Sequence, residues 1–477
     1  MENIRELAVD MLSEIMEEGS YCHLVIRSVL QKYNYRDSRD KAFLKRLVEG
    51  TVERCIQIDY VLDQFSKVPT VKMKPFIRNL LRSSVYQLLF MDSVPDRAVC
   101  NEAVKLAGKR GFRQLSGFVN GVLRNIARNK EQICFPEEEK DLIKALSVKF
   151  SMPAWLVEKL LKEQGEEKTR RMLEAFLQTK PVTIRLKEDL SASEKERLIS
   201  AIEKTGCKMS AHPYLPYAYC IEGAEGLLAL PGFEEGLFQV QDVSSMLVCE
   251  CAGIREGDRI LDLCAAPGGK SIHAAQKLKG TGLVVSRDIS EEKTALIREN
   301  QQRMKIQNME VSEGDARIFS EKDEEAYDVV LADLPCSGLG IMGKKPDIRY
   351  HAKKEGLESL KALQREILKN AVSYVKPGGI LLYSTCTINR GENEENAVWL
   401  TRQFPFRLES LSPYLPEVLK EEGKDGMLQL IPGVHETDGF FIARLKNRRI
   451  NRHDGTVRSF NGEKNRYQVT YTSGADG

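Results

Sequence analysis

Two cysteines stand in unusual settings, Asp333-Leu334-Pro335-Cys336-Ser337 and Ser384-Thr385-Cys386-Thr387. Both follow a glycine-rich turn, Cys264-Ala265-Ala266-Pro267-Gly268-Gly269-Lys270. Each cysteine ends an apolar, strand-like run, and so does the turn. Carboxyl ends of strands are where an open α/β sheet places its chemistry. Two thiols beside a nucleotide-type pocket predict covalent attack on an activated carbon, with a cofactor held alongside. A free cysteine at a strand end is commonly a small apolar filler. Pro335 beside one thiol and the Ser/Thr setting of the other argue against two such fillers.

The acids around the turn define the cofactor. The Ala-Ala-Pro-Gly-Gly run lets a ligand approach the backbone closely, but it is not the GxGxxG of a dinucleotide fold. Asp288 closes the next strand, where a carboxylate accepts from ribose hydroxyls. Asp315, in Gly314-Asp315-Ala316, offers a second carboxylate to an adenine amino group. Acids without a phosphate cradle describe S-adenosyl-L-methionine better than NAD or ATP. The thiols then suit a pyrimidine. Carbon 5 of that ring is a poor nucleophile until a thiolate adds at carbon 6 and makes an enamine. One cysteine forms the adduct and the other assists its breakdown. Asp333 is placed to hydrogen-bond the ring at N3 or N4. Lys270 is a candidate either to lower a thiol pKa or to accept its proton.

Three kinds of element must position these groups. Over 1–130 apolar residues recur at helical spacing, as in Leu44, Leu47, Val48, Val52 and Ile56, which predicts an all-α bundle with its own core. Asp40 is the expected cap of one helix and Pro75 opens another. Residues 131–150 read as a linker with a short helix. Residues 151–237 read as a small α+β unit, with helices around Trp155 and Met172, strands at 182–186 and 218–221, and a helix at 194–204. From 238 strands and helices alternate. Strands are expected at 259–263, 283–286, 309–311, 328–332 and 380–383, with helices at 271–278, 291–304, 357–374 and 393–403. This is a parallel, doubly wound sheet, closed by an antiparallel edge strand at 439–443. Residues 446–477 read as a basic tail of disordered composition.

The 477 residues carry a net charge of only +2, but its distribution is uneven. Residues 1–130 hold a surplus of seven positive charges and 446–477 a surplus of four, whereas 131–445 is net negative by nine. Basic flanks around an acidic middle fit a polyanion gripped from outside the pocket; solvated helix faces would give the same count. The 11 cysteines lack the spacing of a disulfide framework. No signal peptide and no membrane-spanning run is evident, so a reduced cytoplasm is the expected compartment. Cys249-x-Cys251 has no second pair and no nearby histidine, so two buried helix cysteines are expected there and no metal site.

The segments 261–270 (LDLCAAPGGK), 333–340 (DLPCSGLG), 344–350 (KKPDIRY) and 383–387 (YSTCT) resemble the RNA cytosine-5 methyltransferases of the NOL1/NOP2/Sun group. Leu334 stands where that family often has Ala, and Lys344-Lys345 where it often has Arg. The resemblance implies that Cys386 is the nucleophile and that Cys336 acts in product release. It implies S-adenosylmethionine contacts from Cys264, Ala265, Ala266, Pro267, Gly268, Gly269, Lys270, Asp288, Asp315 and Asp333. Residues 94–104 and 117–124 look like the NusB antitermination domain. The combination resembles the bacterial RsmB/Sun family. That implies a NusB-like RNA-binding domain over 1–130, an RNA-binding α+β unit over 151–237 and a Rossmann-like class I methyltransferase domain over 238–445. It further implies 16S ribosomal RNA as partner, with no membrane and no obligate protein partner. The same chemistry on tRNA or large-subunit RNA is the first alternative. An RNA-binding antitermination factor with vestigial catalysis is the second.

Overall fold

A computed structural model of the chain describes residues 3–32, 37–224 and 226–449. The bundle contains α1 (Ile4–Met16), α2 (Cys22–Lys32), α3 (Ser38–Glu53), α4 (Cys55–Phe65), α5 (Pro75–Phe90), α6 (Asp96–Lys109) and α7 (Ser116–Arg128). Asn3 caps α1 by accepting from the Arg5 and Glu6 amides. The cap of α3 is Asp37 rather than Asp40, which lies inside the first turn. Pro75 opens α5 as expected. The apolar stripes of these helices converge on one core containing Leu12, Leu47, Val48, Ile58, Leu81 and Leu123.

The linker carries more structure than its charge suggests. Asp141 caps α8 (Leu142–Lys149), and α9 (Ala154–Ala175) follows. The two helices expected around Trp155 and Met172 are the halves of α9, broken at Gly165, whose φ is +76°. Leu146, Leu156, Leu160 and Met172 share a core with Leu339, Met342 and Ile388 of the C-terminal unit. This stretch therefore packs as part of the C-terminal unit. The small sheet contains β1 (Val182–Leu186), α10 (Ala192–Glu203) on one face, β2 (Lys208–Ala211), β3 (Ala218–Glu222) and β4 (Phe238–Val240), in the antiparallel order β2-β3-β1-β4. Phe238–Val240, assigned from sequence to the third unit, pairs with β1. The third unit thus starts after 240.

That unit runs α11 (Val243–Ala252), β5 (Arg259–Asp262), α12 (Gly269–Lys277), β6 (Leu283–Asp288), α13 (Glu291–Arg303), β7 (Met309–Glu313), β8 (Tyr327–Asp333), α14 (Ile348–His351), α15 (Lys354–Tyr374), β9 (Val375–Thr385), α16 (Glu394–Gln403), β10 (Phe406–Leu408), β11 (Met427–Leu430) and β12 (Phe440–Asn447). The sheet order is β10-β12-β9-β8-β5-β6-β7, with β11 paired to β12. Strands β5 to β9 are parallel to one another. The strand order reverses at β5, the position where such sheets open a crevice at their carboxyl ends.

β12 is antiparallel to β9, but it is not an edge: β10 lies outside it. It also extends through Lys446 and Asn447, and the Asn447 side chain donates to the Val375 carbonyl at 3.0 Å. The first residues of the expected tail are therefore strand. Residues 450–477 lie outside the described part of the chain. No helix among the described residues is long and apolar enough to cross a membrane.

Candidate active site

β8 and β9 are parallel neighbours, with Asp333 opposite Ser384. The loops that leave them carry Cys336 and Cys386, whose sulfurs lie 3.3 Å apart. The sequence reading required both thiols at one place, and the fold puts them there. Beside them Lys270 Nζ donates to Asp333 Oδ2 at 2.6 Å, and Ser384 Oγ donates to Asp333 Oδ1 at 2.8 Å. Burial opposes the Lys270 charge, but Asp333, with help from Asp262 and Cys386, outweighs it and raises the ammonium above its ordinary value. Of the two roles open to Lys270, a fixed positive charge is favoured over proton acceptance. Cys336 is pushed well up by its hydrogen bond with Cys386, then by burial, then by the charge of Glu392.

The turn starts where β5 ends. The Ala265 amide donates to the Arg287 carbonyl at 2.8 Å, and the Gly268 amide to Ala265 at 2.7 Å. Gly268 has φ +100°, a left-handed conformation that favours glycine, and it caps α12. Cys264, Ala266, Pro267 and Gly269 complete the same turn. Asp288, at the end of β6, accepts from the Ala266 amide at 2.9 Å and from Ile289 at 2.8 Å, with Lys293 Nζ at 3.0 Å. It is not a helix cap, because Ser290 caps α13. The Gly314 amide bonds the Asp288 carbonyl at 2.9 Å, which sets Asp315 beside it. Asp315 closes its own turn by accepting from the Arg317 amide, and the Arg317 guanidinium spans both its oxygens. That hydrogen bonding holds the Asp315 carboxyl below its usual range.

Acidity marks this end of the sheet. Burial raises the Cys264 thiol, and the charges of Asp288, Asp262 and Asp333 push it further. Such a field repels a polyphosphate and attracts a cation. A nucleoside bearing a positive sulfonium fits the residues present, whereas NAD or ATP does not. Ile289, half exposed directly after Asp288, adds apolar surface of the kind an aromatic base needs.

Several members of the site escape sequence reasoning. Asp262 is buried at the end of β5, where Ser271 Oγ donates to its Oδ2 at 2.7 Å, and burial pushes its carboxyl up to about 7. Glu392 is fully buried beneath the thiols. It accepts from the Ser337 amide at 2.9 Å, the Ser337 hydroxyl at 2.5 Å, Gln364 at 2.9 Å and Asn389 at 2.8 Å. Ser337 Oγ also lies 2.7 Å from Thr387 Oγ1. One carboxylate therefore ties both cysteine loops together. Cys249 and Cys251 are buried in α11, as expected, and the Cys249 thiol donates to the Lys270 carbonyl at 3.3 Å.

Residues 252–446 match the family described as 16S rRNA methyltransferase RsmB/F, and residues 2–128 match the NusB family. A protein of Bacillus subtilis (strain 168), named probable ribosomal RNA small subunit methyltransferase B, is 34% identical over 450 residues, covering 94% of this chain and 99% of its own. The ribosomal RNA small subunit methyltransferase B of Klebsiella pneumoniae subsp. pneumoniae is 31% identical over 453 residues, covering 94% and 99%. The crystal structure of PH0851 superposes with a TM-score of 0.77 at 27% identity, covering 93% of this chain and 99% of that one.

Proposed function

The chain belongs to the 16S rRNA methyltransferase RsmB/F family, with a NusB-family domain ahead of the catalytic unit, and on that premise we propose that it methylates carbon 5 of a cytosine in 16S ribosomal RNA through a covalent adduct. The observation that carries this reading is the pair of thiols at 3.3 Å beside the Lys270–Asp333 ion pair.

Its cofactor is S-adenosyl-L-methionine, which when bound supplies an electrophilic methyl group to the activated ring carbon. Residues 264–270 would pack against it, Asp288 would accept from its ribose, and Asp315 would take the base amino group in exchange for the exposed Arg317. The chemistry on the ring falls to four side chains. The Cys386 thiolate bonds carbon 6, and carbon 5 becomes nucleophilic. Asp333 accepts from the ring amino group and orients the base, while the Lys270 ammonium, held by Asp333, supplies the positive field that steadies the negative charge thiolate addition puts on the ring. After methylation a base takes the proton on carbon 5, the C–H pair forms the carbon 5–carbon 6 double bond, and the carbon–sulfur pair returns to the Cys386 sulfur, which the protonated Cys336 thiol can hydrogen-bond as it leaves. Cys336 assists this last step, since hydrogen bonding, burial and Glu392 keep its thiol protonated. Both thiols must stay reduced, which suits a cytoplasmic setting.

Transfer of labelled methyl groups to unmodified 16S transcript tests the reading. Cys386→Ala should abolish turnover and adducts. Cys336→Ala should accumulate an RNA adduct that survives denaturation. Normal turnover in Cys386→Ala would refute the assigned roles. Preferential labelling of tRNA or large-subunit RNA would move the target and keep the chemistry.

A further inference from the structure

The 344–350 segment contributes nothing to the chemistry above, yet it is deeply involved in the fold. Arg349 is fully buried, a costly place for a cation unless its donors are satisfied. Its guanidinium donates to three carbonyls from separate parts of the chain: Glu53 at 3.2 Å, Ser151 at 3.0 Å and Met342 at 3.3 Å. The hydroxyl of the neighbouring Tyr350 donates to the Val52 carbonyl at 2.8 Å, and its ring packs on the bundle core. Val52 and Glu53 are the last residues of α3, where a helix leaves carbonyls without internal partners and favours a cation. Asp347, also buried, accepts from the Cys22 amide at 3.2 Å. That amide opens α2, where a helix favours an anion. One short segment thus meets two helix ends of the bundle with the charge each requires.

The same segment is continuous with the Cys336 loop. Backbone bonds link Ile341 to Gly338, Lys344 and Lys345 to Ile341, and Ile348 to Lys345. The Gly340 amide donates to the Cys386 carbonyl at 3.1 Å, and Gly340 in turn accepts from Gly439 at 2.9 Å. Leu339 and Met342 are buried in the α8–α9 core. Ser151 is a second junction, because its hydroxyl accepts from the Ile56 amide of α4 at 3.0 Å while its carbonyl accepts from Arg349.

Resting on the function read above, we propose that Arg349, Asp347 and Tyr350 are positioning residues that couple the helical bundle to the thiol loops. The bundle is then part of the catalytic scaffold as well as an arm that holds RNA. Its α3 end fixes Arg349, Arg349 fixes Met342, and the turns back to Gly340 fix the backbone of Cys386.

The test uses the full chain with Arg349→Lys and Tyr350→Phe. Amide hydrogen exchange across 337–343 should rise by about tenfold in Arg349→Lys and about threefold in Tyr350→Phe. Single-turnover methylation at saturating RNA should fall by similar factors, with RNA affinity changed less than about threefold. Unchanged exchange at 337–343 in folded variants would overturn the proposal. So would a defect seen only as weaker RNA binding, with the saturated rate intact. Tyr350→Phe removes a single hydroxyl and carries the test if Arg349→Lys fails to fold. The exchange measurement needs neither RNA nor cofactor, so it still decides the coupling if the proposed methylation itself proves wrong.

Discussion

Glu392→Gln separates a carboxylate that organises the site from one that merely occupies a helix start. Each Glu392 oxygen accepts two donors: Oε1 takes the Ser337 hydroxyl and Asn389, and Oε2 takes the Ser337 amide and Gln364. An amide nitrogen is least disruptive at the Oε1 position, where the Ser337 hydroxyl can rotate and accept from it. Asn389 is then left facing a donor, which costs about 1–3 kcal/mol for a buried group. The remaining hydrogen bonds become neutral and lose roughly half their strength. Relief from burying a charge offsets part of this, leaving a loss of about 2–4 kcal/mol. A solvated glutamate would change stability by less than about 0.5 kcal/mol. Urea unfolding measures the difference, and a loss under that smaller figure would refute the network. The variant also tests the thiols. With the Glu392 charge gone, Cys336 keeps its hydrogen bond and burial but loses one cause of its raised pKa. Its alkylation by iodoacetamide at pH 8 should be faster than in the wild type, because removing that charge lowers the thiol pKa. A folded variant whose Cys336 reacts no faster would remove Glu392 from the electrostatics.

Two further outcomes follow from the charges. Asp262, raised by burial to about 7 in the folded chain, binds a proton more tightly there than when unfolded. Its contribution to stability is present at acid pH and is lost as pH rises through 7. Asp262→Asn should therefore gain on the wild type by about 2–3 kcal/mol between pH 5 and pH 8 in urea unfolding; parallel curves would show that the carboxyl does not titrate there. On the bundle, Lys74 lies over Phe112 of the stacked Phe76–Phe112 pair, whose rings are 5.3 Å apart, and exposed Lys72 and Arg113 lie close to the pair in sequence. Removing the three charges should reduce the slope of log affinity against log salt by about 2, from roughly 0.7 per phosphate contact on single-stranded RNA. An unchanged slope would place RNA elsewhere.

What the sequence made legible was local or strictly alternating. Parallel strands place their carboxyl ends on one side by topology, so finding acids and cysteines at those ends was enough to predict one crevice. β12 was recognisable as a strand, but its place between β9 and β10 depends on pairing across the chain, which no local pattern encodes. α8 was submerged in a charged linker because its apolar face meets residues nearly two hundred positions away. Glu392 and Arg349 were the hardest to see. A charged residue in a polar run signals solvent, and only the scattered partners Ser337, Gln364 and Asn389, or Val52 and Ser151 around the 344–350 segment, reveal that these are interior groups.

The same charges explain why the bundle should be held rigidly. The chain between the basic flanks is net negative, whereas at the crevice Asp333 is matched by Lys270, Asp288 by Lys293 and Asp315 by Arg317. RNA therefore approaches the thiols across a net negative region, which positive charge close by would offset. Within the bundle Arg82 pairs with Asp59, and Lys109 and Arg110 pair with Glu6, so its surplus of seven positive charges rests on other cations. The exposed remainder is effective only within about a Debye length, roughly 8 Å at physiological salt. A tethered arm would spend most of its time beyond that reach. A bundle locked at the ends of α2 and α3 keeps its free cations at a fixed distance from the crevice. Electrostatic guidance and the geometry of the thiol loop then depend on the same buried arginine.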